Sequence, residues 1–256
     1  MKALVTGATS GIGLEMAYNL AERGIDLFLA SRNDNKMKTI AEELSPKVKV
    51  DYFAIDLSKE KSASLLYETV LERGHEIDIL INNSGYGLFG KNNDFSPVLL
   101  EEMVILNCVT LTTLSRLFGK DMATRGRGYI MNVASTAAYQ PIPYFSAYSA
   151  TKSFVMRFSK ALHHELKREG VSVTCLNPGP TATNFFETAL SGNKFPLFKG
   201  KPMMSAKEVA EVGINAMFAR KTVVVAGFLN KVFSIILPLA PLVLVEKVLS
   251  RSVKGY

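Results

Sequence analysis

The chain reads as one doubly wound α/β domain with a mainly parallel, seven-stranded sheet and helices on both faces. Two observations predict this class. Short apolar runs alternate with helix-type patterns from Lys2 to Ala226 without repeats or a linker. Polar or glycine-rich clusters follow six of those runs, as expected where the strands of a parallel sheet end at one edge. In order, the apolar runs are 2–6, 25–30, a third ending at Ile55, 77–81, 129–133, 171–176 and 223–226. Helices are predicted after Gly13, over about 34–45 and 59–73, over a long stretch near 97–119, and after Ser146. Gly24 stands where a left-handed C-cap residue is wanted. The 97–119 helix is expected to bury Leu99, Met103, Leu106, Leu114 and Leu117. The helix after Ser146 is expected to bury Phe154, Phe158, Ala161, Leu162 and Leu166.

The composition narrows the class further. With 256 residues, 48% of them hydrophobic, the chain is long enough for one sizeable core. Two cysteines make no disulfide framework, and three histidines at unhelpful offsets argue against a metal site. The chain opens directly on a strand and a glycine turn, which predicts no leader peptide and a reducing cytoplasm. Net charge is +7 and uneven: from Ser191 onward ten Lys/Arg face three Glu, while residues 1–190 sum to zero. The dispersed basic residues have no nucleic-acid motif beside them, so no nucleic-acid partner is expected.

Six clusters are therefore expected along one sheet edge: 6–13, 31–32, 56–57, 82–85, Ser135 and 177–183. In the first, TGATSGIG, glycines let the backbone approach a pyrophosphate at a helix N-terminus, where free N–H groups favour anions. At the end of the second run, NAD-type sites place an acid for the ribose 2′-hydroxyl. Here Ser31 and Arg32 stand instead. A guanidinium suits a 2′-phosphate, so NADP(H) is preferred over NAD(H). Tyr148 and Lys152, four apart, share one helix face. A free tyrosine has a pKa of roughly 10, and a nearby ammonium is expected to lower it toward a working value. Ser135 would hydrogen-bond the same substrate oxygen. Taken alone, Tyr148 and Lys152 also read as a surface pair; the coincidence of clusters decides against that.

These motifs together resemble the short-chain dehydrogenase/reductase family of single-domain oxidoreductases. The matches are TGATSGIG at 6–13, Asp56–Leu57, NNSG at 82–85, Asn107, Ser135, Tyr148-x3-Lys152 and NPG-x3-Thr at 177–183, in family order and spacing. Ser84 departs from the family's usual alanine. Ser10 stands where a basic residue of the glycine loop is lacking, so the NADP(H) expectation rests on Arg32. The resemblance implies a Rossmann-type fold with Tyr148 as general acid/base. It also implies that Lys152 holds the nicotinamide ribose and lowers the tyrosine pKa, that Ser135 orients the carbonyl, and that Asn107 supports a relay water. Gly7, Thr9, Ser10, Gly11, Ile12 and Gly13 would cradle the cofactor phosphates. Asp56 and Leu57 would meet the adenine and Asn83 its ribose, and Thr181 and Thr183 the carboxamide side.

Two segments bear on the substrate. The loop 139–145 is apolar, and Phe185, Phe186, Phe195, Leu197 and Phe198 crowd the stretch after Thr183, with Glu187 its one carboxylate. Residues 184–206 are thus read as a substrate loop of a 1–227 catalytic domain, over a pocket for a lipophilic ketone or secondary alcohol. The loosely similar hydroxysteroid and long-chain oxoacyl reductase branch puts a steroid or bile acid first and a long-chain 3-oxoacyl group second. A non-catalytic NADP(H) sensor is the rival class; it is disfavoured because Ser135, Tyr148 and Lys152 are all intact. Residues 228–256 form an apolar, basic extension with an uncharged run at 232–245. That run is too short and proline-broken to read as a bilayer span, and is expected to fold as short helices over the substrate pocket, to form an oligomer contact, or to rest on a membrane surface. The long helices resemble the family's dimer and tetramer faces, which implies a homodimer or homotetramer.

Overall fold

A computed structural model describes residues 1–183, 185 and 203–237. The seven principal strands are β1 (Lys2–Thr6), β2 (Asp26–Ser31), β3 (Val50–Ala54), β4 (Ile79–Asn82), β5 (Gly128–Val133), β6 (Val171–Asn177) and β9 (Val223–Val225). They form one sheet in the order β3-β2-β1-β4-β5-β6-β9, parallel at each pairing. The chain winds outward from β1 to β3, then returns to β4 on the other side of β1. That reversal opens a crevice beyond the ends of β1 and β4, where ligands bind in such sheets. A short pair, β7 (Thr181–Ala182) and β8 (Met204–Ser205), lies outside the main sheet. At two residues each, these strands carry no readable alternation, and the sequence reading did not contain them.

Side chains alternate across the sheet and divide the core in two. On one face Val5, Leu27, Leu29, Ile79 and Ile81 pack with Met16, Leu20, Val209 and Ile214 of α1 (Gly11–Glu22) and α7 (Ala206–Phe218). On the other, Leu4, Phe28, Leu80 and Ile130 pack with Leu66, Leu114 and Phe118 of α3 (Ser62–Glu72) and α5 (Leu111–Thr124). The remaining helix on the first face is α2 (Asp34–Leu44), started by Asn33, whose side chain accepts from Lys36 N.

Two predicted helices differ in their buried faces. The stretch expected as one helix is α4 (Pro97–Val104), a π-helical segment at Ile105–Thr110, and then α5. Met103 and Leu114 are buried while Leu99, in α4 before the π segment, faces outward; the wider π turn shifts the 3.6-residue register between Met103 and Leu114. By length and composition the run Pro97–Thr124 would suffice to cross a membrane, yet Leu114, Phe118 and Met122 of it are core residues. In α6 (Ser146–Leu166) the buried side is Tyr148, Ser149, Thr151, Lys152, Val155, Ser159 and His163, not the aromatic stripe. Phe154 is 45% exposed and stacks on Phe158 at 6.0 Å on the outer face. Polar residues go inward here because each finds a partner: Ser159 donates to Val155 O and His163 Nδ1 meets Val173 O at 2.9 Å.

A buried polar chain joins the sheet to these helices. Asn82 Nδ2 donates to Asn132 Oδ1 at 2.9 Å and to Ser115 Oγ at 3.0 Å, and Asn132 Nδ2 donates to Ser159 Oγ at 2.9 Å. Removing the central amide strands several buried donors, which costs far more than the net value of the bonds. Asn132→Ala is therefore expected to lower stability by about 2–4 kcal/mol, read as a shift of the urea midpoint with an unchanged slope.

Candidate active site

The site assembles at the carboxyl edge, beginning with the glycine turn. Gly7 and Gly11 have φ of +68° and +56°, a region glycine enters without strain. A methyl at Gly13 would lie 2.3 Å from Asn83 Nδ2 and 2.5 Å from Gly7 O, so only glycine fits. Thr6 is the hub beneath: its Oγ1 donates to Ile81 O and accepts from the N–H groups of Asn83 and Ser84. Asn83 Nδ2 donates to Thr6 O and Gly7 O. Expected at the adenosine ribose, Asn83 has its amide donors engaged in holding the glycine turn. The hydroxyl of Ser84 is accommodated, since the contact there is made by its backbone. Ser10 precedes α1 without a side-chain cap bond, leaving the first N–H groups of that helix for a ligand, with Ile12 inside its first turn.

Around the turn lie the other predicted binding residues. Thr9 Oγ1 is 2.8 Å from Ser31 Oγ, tying the loop to the end of β2. Arg32 follows, exposed. Burial acts to raise the Asp56 carboxyl, but the two Ser58 hydrogen bonds, then the charges of Arg32 and Lys59, together hold it below its usual range. Leu57 is buried beside it. Thr183 closes over the turn from the other side, its methyl 3.1 Å from the position of a methyl on Gly11. Thr181 is buried and donates to Gly179 O. The glycine cradle, the helix N-terminus and Arg32 thus fit a dinucleotide bearing a 2′-phosphate. Phe186, Glu187, Phe195, Leu197 and Phe198, and the tail beyond Leu237, lie outside the described residues.

Ser135, Tyr148 and Lys152 come from β5 and α6. Ser135 opens the short turn Thr136–Tyr139, accepting from Ala137 N at 3.1 Å, and its hydroxyl lies close enough to Tyr148 to favour the ionised phenol. Lys152 is buried, donates to Val133 O at 2.9 Å, and has its Nζ 5.7 Å from the centre of the Tyr148 ring. Asn107 sits in the π segment; its Nδ2 donates to Tyr86 O and Thr151 Oγ1, and its Oδ1 accepts from Tyr86 N. Its side chain therefore clamps the loop after β4 to α6. Gly85 lets it approach, since a methyl there would lie 2.9 Å from Asn107 Oδ1 and 3.4 Å from Lys152 Nζ. Thr151, which the motif reading passed over, passes the clamp on by donating to Tyr148 O at 2.7 Å. Its position beside Lys152 was the one available signal.

One electrostatic expectation is corrected. Lys152 was expected to lower the tyrosine pKa, but burial pushes Tyr148 well above the ordinary tyrosine range, and the group opposing this is Ser135. The ring lies among Phe145, Phe185, Phe89 and Met103, where a phenolate is poorly solvated. Lys152 is itself brought down to about 8 by burial. A protonated, desolvated tyrosine suits proton donation better than proton removal.

The residues 1–194 match the family model "short chain dehydrogenase", and the chain belongs to that family of oxidoreductases. It is 32% identical to hydroxysteroid dehydrogenase-like protein 1 of Gallus gallus over 84% of this chain and 65% of that one. It is also 32% identical to a very-long-chain 3-oxoacyl-CoA reductase-like protein of Arabidopsis thaliana, over 84% of this chain and 70% of that one. A solved short-chain dehydrogenase from Sphingobium yanoikuyae, in complex with NADPH, superposes with a TM-score of 0.80 at 29% identity, covering 88% of this chain and 86% of that one. The chain spans just under two thirds of the Gallus protein's length.

The buried ammonium generates a stability prediction. An unfolded lysine holds its proton to about 10.5 and the folded one only to about 8, so folding at neutral pH carries a penalty that fades as pH rises through that window. Lys152→Met should raise the stability of the cofactor-free protein at pH 7 by about 1–2 kcal/mol. The advantage over wild type should shrink from about pH 8 to pH 10.5, as thermal melts across that range would show.

Proposed function

We propose that this enzyme is an NADP(H)-dependent reductase that interconverts a lipophilic ketone and its secondary alcohol. The observation that carries this reading is Tyr148, buried near Ser135 among aromatic side chains at the sheet edge that also carries the glycine cradle. NADPH, when bound, supplies the hydride. The chain supplies the rest. Gly7, Gly11, Gly13 and the α1 N-terminus receive the phosphates, Arg32 the 2′-phosphate, and Thr181 and Thr183 the carboxamide side. Ser135 and Tyr148 hold the substrate oxygen, and Tyr148 delivers the proton to it in reduction and takes it back in oxidation. Lys152, anchored on Val133 O, lies at the ribose end of the cleft. Its charge would favour the transient phenolate once the proton has left.

The surroundings of Tyr148 favour an apolar substrate: Leu88, Phe89, Ile142, Tyr144, Phe145 and Phe185 belong to the same hydrophobic cluster. Steroid or bile-acid ketones and long-chain 3-oxoacyl thioesters both present such a carbonyl, and relatives of both names occur. NADPH and NADH oxidation should be followed with both substrate types and with small polar ketones. The expected result is NADPH preference and turnover of one lipophilic type; equal use of small polar ketones would remove the lipophilic assignment. Arg32→Glu is expected to cut NADPH affinity by about tenfold or more and spare NADH. Tyr148→Phe should lose at least about 10²-fold in kcat while keeping NADPH binding; retained function would favour a sensor.

A second reading concerns location: a cytoplasmic enzyme resting on a membrane through its tail. The helix α8 (Phe228–Ile236) exposes Phe228, Leu229 and Phe233, each by more than half, while Lys231 supplies a positive charge on the same turn. The outer face carrying Phe154 and Val109 is proposed as the contact of a homo-oligomer. Replacing Phe228, Leu229 and Phe233 together by Ser should abolish co-sedimentation with anionic vesicles and leave turnover of a soluble ketone intact. Unchanged sedimentation would dismiss the membrane role of this helix.

A further inference from the structure

Tyr148 is held by neighbours that the chemistry above does not use. Phe145, three residues earlier at the N-cap of α6, stacks on its ring with centroids 4.3 Å apart and planes inclined by 23°. Phe89 meets Phe145 edge-on at 5.9 Å, backing the stack. The loop after β4 closes its edge: a methyl at Gly87 would lie 2.6 Å from Phe145 Cε2 and 2.9 Å from Tyr148 Cδ2. No side chain can stand there without separating the two rings. The backbone entering the stack is strained as well. Tyr144 has φ of +63°, which a bulky residue adopts only where its surroundings over-determine it. Its carbonyl accepts from Gly90 N at 2.8 Å, so the loop carrying Gly87 is tied to the residue that turns Phe145 inward.

The geometry points to Phe145 and Gly87 as positioning residues that fix the plane of the Tyr148 ring and keep its hydroxyl directed toward Ser135 in dry surroundings. This rests on the reading of Tyr148 as the proton donor. The stack covers one ring face, the glycine backbone abuts the ring edge, and Phe185 leans on the ring at 5.4 Å. A phenol so enclosed cannot tilt away from the substrate oxygen. Small misplacements of reacting groups cost heavily: about 1 Å is worth about 10²-fold in rate.

The test compares wild type with Phe145→Ala, Phe145→Leu, Phe145→Tyr and Gly87→Ala, each checked for native packing by near-ultraviolet circular dichroism. Two quantities are read. The first is kcat and KM for ketone reduction with NADPH. The second is the tyrosinate absorbance titration of the cofactor-free protein, taken as a difference from Tyr148→Phe. Phe145→Ala should lower kcat by about 10–100-fold with NADPH affinity unchanged. It should also bring the Tyr148 signal down toward pH 10–11, as water enters the cleft. Phe145→Tyr, which keeps the stacked ring, should restore most of kcat, and Gly87→Ala should share the kcat defect. A Phe145→Ala protein with wild-type kcat, or with a defect confined to KM, would overturn the assignment. Should Phe145→Ala not fold, Phe145→Leu carries the same comparison. If wild type reduces no ketone, it is the functional reading that fails. The titration still judges the stack, because an unmoved Tyr148 signal in the folded variant refutes it.

Discussion

The hydrogen bond from Lys152 Nζ to Val133 O, at 2.9 Å, joins the helix that carries the tyrosine to the strand that carries the serine. An ammonium taken from water is costly unless something holds it, and much of the neighbouring architecture follows from that. Gly85 must lack a side chain so that Asn107 and Lys152 can share the space above β4. Asn107 must then leave an ordinary helical register, and the π turn at 105–110 accomplishes this. Ahead of it, α4 exposes Leu99 and Val104 while Met103 stays in the core.

The same helix shows why its inner face is polar. Between β4, β5, α5 and α6 runs the chain of amides and hydroxyls from Asn82 through Asn132 to Ser159. These groups need one another and leave no room for a large apolar side chain. Phe154 is displaced to the outside, stacked on a partly buried Phe158. The network leaves Asn82 Oδ1 without a partner, but its linked amides and hydroxyls still tie α6 to the sheet, which suits a helix that must present Tyr148 and Lys152 at fixed separation. The aromatic cluster on the opposite side of Tyr148 adds the dry boundary. Its consequence is a tyrosine that keeps its proton more firmly than the Tyr–Lys spacing by itself suggests.

The glycine turn is governed by a different constraint, close approach of backbones. Gly13 meets Gly7 O and the Asn83 amide at distances that exclude any Cβ, and Thr6 binds the ends of β1 and β4 together underneath. The cradle is therefore built by two loops, one after each strand at the switch point, and neither loop suffices alone.

Much of this was legible in the chain itself. Apolar-rich runs bounded by glycine or polar residues located all seven principal strands; in β1, β2 and β4, buried on both faces, the runs are nearly continuous. The order of TGATSGIG, Asp56, NNSG, Asn107, Ser135, Tyr148, Lys152 and the NPG segment identified the family before any coordinate. What the sequence could not decide were properties of juxtaposition. The π turn at 105–110, the inward polar face of α6, the amide chain through Asn132 and the use of Asn83 as a brace each depend on partners 15 or more residues away. No local period records such partners. The tyrosine's proton affinity belongs with them. The Tyr148–Lys152 spacing proposed an activated phenolate, whereas the tertiary packing of Phe145, Phe89 and Phe185 removed the water that a phenolate requires.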